Sequence, residues 1–401
     1  MNKNLKIKIL PALWWLFVGI VISYNFVRYI GVEWEKPFEY TRIVRMTGRT
    51  LPIWLIAEAV IILLIFVVLI NRKGIRATIV SKCALILLVL GVLWTMYSAG
   101  KGISLLYYDS NPFLLIEIAV IMIVLQRQDL RAQLFKYIFV LATFYTLYSM
   151  YNAFDFRNTY PLMRMSNGII IQTFAYALFL VAIWNAVAKK SKRNTVLIYS
   201  CCASLVITSI IITSRGWMIQ AIGLTFFCYY SNSNKTARQK LSRGLVAVLL
   251  FVALYYYVVT YMSDSLGYIL GRFSEETRAN QLESFFSQVP ISSLIIGRGM
   301  DATYFFNGTD YAYVDNQFLF WMFRYGIVSV TAYWIPIFFS VFRKKRDGSV
   351  LEKNASFPII MWILAMGGLC IYYGLFLDIG HIYILAFMNE LLDQKGLLRT
   401  R

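Results

Sequence analysis

Histidine occurs once in the 401 residues, at His381, and that scarcity argues against a zinc or iron centre built on imidazole ligands. Cysteine occurs five times, at Cys83, Cys201, Cys202, Cys228 and Cys370. All five fall within apolar runs, without the spacing of a metal site or of a disulfide framework. Charge is scarce too, at 15% of residues, where a soluble chain carries roughly 25%. Acids are the scarcer sign: 20 Asp and Glu face 39 Lys and Arg, a net charge of +19. In a soluble protein that excess would suggest nucleic acid; in a membrane protein it marks the cytoplasmic loops. There is no internal repeat, no low-complexity tract and no soluble domain. The first apolar run lacks a small-residue cleavage site, so it reads as a plain first span and not as a signal peptide.

What the chain has in abundance is apolar length. Hydrophobic residues make up 59% of it, and the mean hydropathy is +0.62. Twelve apolar runs approach the ~17–25 residues of a membrane crossing: Leu10–Val27, Leu51–Ile70, Cys83–Ala99, Pro112–Gln126, Leu134–Phe154, Gly168–Ala188, Thr195–Thr213, Gly216–Tyr230, Leu245–Met262, Asn316–Phe342, Phe357–Phe376 and Ile379–Leu392. This predicts an all-α polytopic membrane protein of about twelve helices, a single integral membrane domain over residues 1–401. Counted on alternate sides, 26 Lys and Arg fall with the two termini, 12 fall on the opposite side, and Arg324 lies inside a span. Both termini are therefore expected in the cytoplasm. The positive charge is a topology signal, and nucleic acid is not an expected partner. One long loop, residues 263–314 between spans nine and ten, is placed outside. Loops of that length are usually functional or disordered, and its internal signals favour function.

Three segments carry candidate chemistry. The stretch Thr195–Tyr230 is apolar except around Thr213-Ser214-Arg215-Gly216. As one helix it would run roughly 54 Å against a ~30 Å hydrocarbon core, so it must cross twice and turn outside. Two readings stand: Gly216 permits that turn while Arg215 reaches lipid phosphate, or Arg215 clamps an arriving anion. In the long loop, Ser274 is a candidate N-cap for a helix that runs to about Gln288 and stops before Pro290. On it Arg278, Leu282 and Phe285 share a face, so the arginine needs an anion: an internal salt bridge or a ligand. Gly297-Arg298-Gly299 reads as a flexible cationic turn, and Asn307-Gly308-Thr309 fits a glycosylation triplet that chance also produces. Asp315-Asn316 opens span ten, where Asp315 is expected to cap the helix or to act on a ligand. Arg324 is expected about 13 Å deeper on the same helix. With Glu58, Glu117, Asp378 and His381 it places the buried polar groups in the outer half, and it is expected to pair with Glu58, Glu117 or Asp378.

The run Thr213-Ser214-Arg215-Gly216, the arginine-bearing loop, Gly297-Arg298-Gly299, Asp315-Asn316-Gln317-Phe318-Leu319 and Tyr325-Gly326-Ile327 together resemble the Wzy-type polymerase and O-antigen ligase superfamily. The likeness covers roughly residues 213–327 in detail and the whole chain in topology. The ligases typically carry His-Asn where this chain has Asp315-Asn316, which favours the polymerase branch. The resemblance implies glycosyl transfer between polyprenyl-pyrophosphate-linked oligosaccharides, donor and acceptor, at the outer face of a bacterial plasma membrane. It implies neither metal nor other cofactor, and adds a chain-length regulator as a further partner beside membrane lipid. The chemistry suits the residues: planar Arg forks match a pyrophosphate leaving group better than Lys does. Arg215 and Arg278 are the first candidates, with Arg298 and Arg272 next. Asp315 would take or orient the acceptor proton and Asn316 would bind sugar, with Ser214, Arg324 and His381 as further substrate contacts. Two rivals share the topology: a lipid-linked-oligosaccharide flippase or other transporter, and a glycan ligase. The missing repeat, the late long loop and the one-sided charges weigh against alternating access.

Overall fold

The computed structural model describes residues 9–21, 41–71, 77–107, 111–159, 192–211, 277–343, 350–368 and 379–398, with residues 218, 221–225, 228 and 256 between them. Helix accounts for 82% of these, so the fold is all-α, with one small hairpin. The helices, in chain order, are α1 (Ile9–Val21), α2 (Thr41–Asn71), α3 (Ile79–Lys101), α4 (Phe113–Val124), α5 (Gln128–Thr159), α6 (Lys192–Ile211), α7 (Thr277–Gln288), α8 (Ile291–Ile296), α9 (Gln317–Tyr325), α10 (Ile327–Phe342), α11 (Val350–Lys353), α12 (Ser356–Gly368) and α13 (Ile379–Gln394). Chain contacts divide the molecule into two units, Met1–Tyr137 with Thr277–Arg401, and Ile138–Glu276. The sixth apolar run, Gly168–Ala188, and most of the eighth and ninth lie outside the described residues.

In the first unit, α3 and α4 form an antiparallel pair. Thr78 caps α3 by accepting from the Ser81 amide at 3.2 Å. Gln126, just past α4, donates to the Ser81 hydroxyl at 2.9 Å. Halfway along, Gly91 is the point of closest approach, where an added Cβ would stand 2.7 Å from the Ile116 side chain. α4 is central: every residue from Glu117 to Gln126 is buried. α13 is buried almost as completely, from Gly380 to Asn389, and lies against α4, with the Asn389 amide 3.4 Å from the Met122 carbonyl.

The outward faces are apolar as well. Among the described residues α3 alone is long and apolar enough to cross a membrane, with α1, residues 56–71 of α2, α4, residues 195–211 of α6 and α10 as shorter apolar helices. Leu85, Ile86, Val89, Val92, Leu93 and Met96 of α3 all face outward, as do Ile56, Val60, Leu63 and Val67 of α2. In water such a surface would be an aggregation patch far beyond what a monomer carries.

In the second unit, the Cys201 thiol of α6 meets the Thr143 hydroxyl of α5 at 4.0 Å, and Tyr199 donates to the Cys228 carbonyl at 3.4 Å.

The expected tenth span, Asn316–Phe342, is two helices. Gly326 takes φ 80°, ψ 163° and breaks the rod between α9 and α10. Phe318 stacks on Trp334 with centroids 5.4 Å apart, and Trp321 meets Tyr333 at 5.5 Å. In one straight helix Phe318 and Trp334 would stand about 24 Å apart, so α9 folds back along α10 as a helical hairpin. Arg324 is thus near the break, not deep below Asp315.

The buried charges are not confined to one half either. At the end opposite Lys101, fully buried Arg131 donates to Glu390 at 3.0 Å, to Asp393, and to the carbonyls of Leu125 and Gln126 at 2.8 and 2.9 Å. Nearby Lys395 bonds the Ser340 carbonyl and stands 3.4 Å from Glu352. In sequence these read as loop charges; in the fold they are a buried network in which each donor meets an acceptor.

Candidate functional site

The candidate site is built around α9 and the loop segment that leads to it. α7 ends as expected, just before Pro290, because proline cannot continue the ladder. α8 follows, and the chain then crosses α9's C-terminus at Gly297-Arg298-Gly299. The Arg298 amide donates to the Phe323 carbonyl at 2.8 Å and the Gly299 amide to the Arg324 carbonyl at 3.0 Å. These are carbonyls that a helix end leaves unpaired. The crossing is backbone on backbone. A Cβ at Gly297 would lie 2.6 Å from the Arg324 oxygen, and one at Gly326 2.5 Å from the oxygens of Ile295 and Ile296. Both glycines also have positive φ, 95° and 80°. The Gly-Arg-Gly and Tyr-Gly-Ile signals of the sequence are therefore two halves of one clasp.

Between clasp and α9 stands a hairpin, Tyr304–Phe306 paired antiparallel with Thr309–Tyr311. Asn307 (φ 51°) and Gly308 (φ 81°) form its two-residue turn, the favoured geometry for Asn-Gly. The triplet that resembled a glycosylation acceptor is thus a hairpin turn. Phe285 of α7, Tyr304 and Phe323 of α9 pack edge to face at 5.2–6.3 Å and join the loop to the helix. Burial, with Tyr311 and Asp315 adding to it, pushes the Tyr304 phenol well above its ordinary value. It stays neutral and donates to the Tyr313 carbonyl at 2.8 Å.

Asn316, not Asp315, caps α9: its side-chain oxygen accepts from the Leu319 amide at 3.2 Å. Asp315 is left half-buried just outside the helix. Its amide is held by the buried Gln281 side chain at 3.0 Å. Gln281 lies one turn along α7 from Arg278, so the positions of Arg278 and Asp315 come within one helical turn of a shared contact. The Arg278 side chain, and all of Ser214, Arg215, Arg272 and Asp378, lie outside the described residues.

Arg324 has none of the expected partners within 4.0 Å among the described residues. It is 1% exposed. Its Nη1 donates to the Met300 sulfur at 2.9 Å and its Nη2 to the Ala312 carbonyl at 3.4 Å. Its guanidinium lies 4.5 Å from the Phe320 ring centre and 5.6 Å from that of Tyr313. Nε has no hydrogen-bond partner among the described residues. A thioether and ring faces are weak substitutes for a carboxylate, and a buried cation without an anion costs several kcal/mol. Arg131 shows what a satisfied buried arginine looks like here; among the described residues Arg324 has no such acids. Glu58 and Glu117, both fully buried, face each other instead.

Arg298 is exposed, its guanidinium 5.8 Å from the Phe323 ring centre. Close by, Lys101 at the end of α3 bonds Asp301 at 2.7 Å and so ties the loop to that helix end. Burial pushes the Asp301 carboxyl up, but the Lys101 hydrogen bond, a backbone hydrogen bond and the charges of Lys101 and Arg298 together outweigh it and leave the carboxyl below its ordinary value. His381 is enclosed. Trp321 stacks on it, Trp362 meets it edge-on at 4.8 Å, and its Nδ1 is 2.9 Å from the Tyr333 hydroxyl, which also accepts from the Trp362 indole at 2.9 Å.

Arg298, Asp315, Asn316, Arg324 and His381 thus all meet α9 or its ends. The residues that sequence reasoning missed are the holders: Gln281, Met300, Tyr313, Phe320 and Trp321. The aromatic density from Tyr304 to Tyr325 was the available signal. The chain matches no known family model, no curated protein and no solved structure.

Proposed function

We propose that the chain is a multi-pass membrane glycosyltransferase of about twelve spans, with both termini in the cytoplasm, that joins polyprenyl-pyrophosphate-linked oligosaccharide units at the outer face of a bacterial plasma membrane. Apolar outward faces on α2, α3 and α10 support the membrane setting. The pairing of helix ends supports the sidedness. Lys101 meets Asp301 of the long loop at one end, and Arg131, Glu390, Asp393, Glu352 and Lys395 gather at the other. The observation that carries the catalytic reading is the Gln281 bond to Asp315, which draws the arginine-bearing helix to the acid.

An acceptor sugar hydroxyl attacks the anomeric carbon of the donor. The new C–O bond forms as the bond from that carbon to the pyrophosphate oxygen breaks, and polyprenyl pyrophosphate leaves with the electron pair. The hydroxyl proton passes to the Asp315 carboxylate. Arg215 and Arg278 are the first candidates to meet the charge that grows on the leaving group, and Arg298 and Arg272 the next. Asn316 spends its oxygen on the cap and keeps its amide hydrogens for sugar. Much of the rate comes from holding the two chains in register. Ser214, Arg324 and His381 line or support the bound glycan. A chain-length regulator remains a proposed partner.

The test uses purified protein in detergent with lipid-linked oligosaccharide as the only substrate. Lengthened glycan with released polyprenyl pyrophosphate is expected, and Asp315→Asn should abolish it while leaving the Asn316 cap intact. One observation favours a second reading, lipid-linked-oligosaccharide transport: the buried Glu58–Glu117 pair inside the bundle, a feature of ion-coupled carriers. Transport needs two compartments, so wild type inactive in detergent yet active in vesicle counterflow would overturn the transferase.

A further inference from the structure

α8 is six residues long, and three of its four large apolar side chains point outward. Ile291, Ile295 and Ile296 are 73%, 55% and 75% exposed, and Leu294 alone is buried. A water-facing loop helix gains nothing from such a face. Nor is the patch isolated. At the clasp the carbonyls of Ile295 and Ile296 abut Gly326, and the next residues, Ile327 and Val328, are exposed in turn. From there the exposed positions Val328, Thr331, Ile335 and Phe342 run down one side of α10 at helical spacing. The outward stripe of α10 therefore continues across the clasp onto α8. On α3, which packs beside α10, Leu93 and Met96 are exposed near the same end.

The polar border of this surface is cationic. Arg298 follows α8 by two residues, is exposed, and has neither an ion pair nor a side-chain hydrogen bond among the described residues. Its neighbour Asp301 is hydrogen-bonded by Lys101, and the Arg298 charge acts on the same carboxylate from beyond ion-pair distance. Apolar side chains beside an exposed guanidinium are the pattern of an element lying in a membrane interface, where the side chains enter the acyl region and the cation meets phosphate.

We infer that α8 is a wedge seated in the outer leaflet of the lipid bilayer, with Ile291, Ile295 and Ile296 among the upper acyl chains and Arg298 on the phosphate of an anionic phospholipid. The inference rests on the membrane reading of α10 and deepens it. Part of the long outer loop is not in water, and the clasp with the Arg324 end of α9 is held at the level where lipid-borne phosphates lie. A lipid-linked donor would then reach Arg298 by lateral diffusion, without leaving the bilayer.

The test places single cysteines, Ile296→Cys, Ile335→Cys and Gly308→Cys, in the full chain with its five native cysteines replaced by alanine. Each variant is labelled with an environment-sensitive fluorophore and reconstituted in phosphatidylcholine–phosphatidylglycerol vesicles. Lipids with a nitroxide high on the acyl chain should remove half or more of the emission at Ile296. Lipids with a deep nitroxide should do so at Ile335. A water-soluble quencher alone should act at Gly308, the exposed hairpin tip. Quenching of Ile296 from water only, with Ile335 still quenched from lipid, would overturn the wedge and leave the membrane reading standing. Loss of lipid quenching at Ile335 would remove both. With Arg298→Gln, quenching at Ile296 should fall in vesicles containing phosphatidylglycerol and stay constant in pure phosphatidylcholine; no change in either would take the phosphate contact out of the proposal.

Discussion

Replacing Gly326 by alanine attacks the clasp at its tightest point, and the cost can be worked out from the geometry. At φ 80° an L side chain costs about 1–2 kcal/mol on conformation alone. The new Cβ would also lie 2.5 Å from the carbonyl oxygens of Ile295 and Ile296. Those are backbone atoms at the end of α8, so no rotamer change relieves the contact; the two strands of chain must part. Parting removes the Arg298 and Gly299 amide bonds to α9, at about 1 kcal/mol each. The expected loss is on the order of 3–5 kcal/mol, where an ordinary substitution costs about 1. Gly308→Ala is the matched control: its φ is 81°, but nothing lies within 4 Å of the added carbon, so only the conformational part, about 1–2 kcal/mol, should appear. Gly19→Ala, in open space on α1, should be neutral or slightly stabilising. The assay is thermal unfolding of detergent-purified full chain followed by tryptophan emission. The midpoints should fall in the order Gly19→Ala, Gly308→Ala, Gly326→Ala. A Gly326→Ala midpoint equal to that of Gly308→Ala would show that the close crossing is not a constraint, and the account of the two glycine motifs would be wrong.

The two buried arginines should behave oppositely. Arg131→Met strands Glu390 and Asp393 and should cost about 3–5 kcal/mol in the same unfolding assay, whereas Arg324→Met removes a cation with no acid beside it among the described residues and should leave stability equal or higher while lowering polymer yield. A stability loss at Arg324 as large as that at Arg131 would mark it as structural. The Lys101–Asp301 tie should show in pH dependence. The folded Asp301 carboxyl lies below its unfolded value of about 3.9, so its contribution is present above that value and lost as pH falls through the lower folded one. The midpoint gap between wild type and Asp301→Asn should therefore be unchanged from pH 7 to pH 5 and close only once pH falls below the unfolded carboxyl value of about 3.9; a gap that closes already near pH 5 would contradict the depressed carboxyl.

Helices were legible from sequence where a single local rule decides them. The stop of α7 before Pro290, the apolar α3 and the helical starts and ends around residues 113–126 follow from composition and periodicity. The hairpin turn carries a local signal too, Asn-Gly between aromatic residues, which a chance match to the glycosylation triplet overlies. What could not be read was anything set by contacts between distant segments. Nothing in Arg324's neighbours in sequence distinguishes a paired from an unpaired arginine; the difference lies in whether α2, α4 or α13 brings an acid to it. Arg131, Glu352 and Lys395 looked like solvated loop charges because span ends are drawn from hydropathy, and hydropathy does not see a network closing over them. The break at Gly326 was hidden because aromatic residues on both sides keep the run apolar, so two helices folded back to back score as one long span. Asn316 took the cap from Asp315 because Gln281 holds the Asp315 amide, a contact 34 residues away in the chain.

The Arg131 network also sets the order in which the protein can be made. Its two acid partners lie 259 and 262 residues downstream, on α13. At a synthesis rate of about 5–20 residues per second, Arg131 leaves the ribosome roughly 13–50 s before Glu390 exists. During that interval α4, the most enclosed helix of its unit, lacks the neighbour that covers it, and the whole of residues 138–276 is produced in between. Nascent chains must therefore keep a half-built bundle and an unneutralised guanidinium waiting, and premature termination anywhere before α13 leaves that bundle permanently open. Quality control would meet chains that stop short of α13 as species with an uncovered α4.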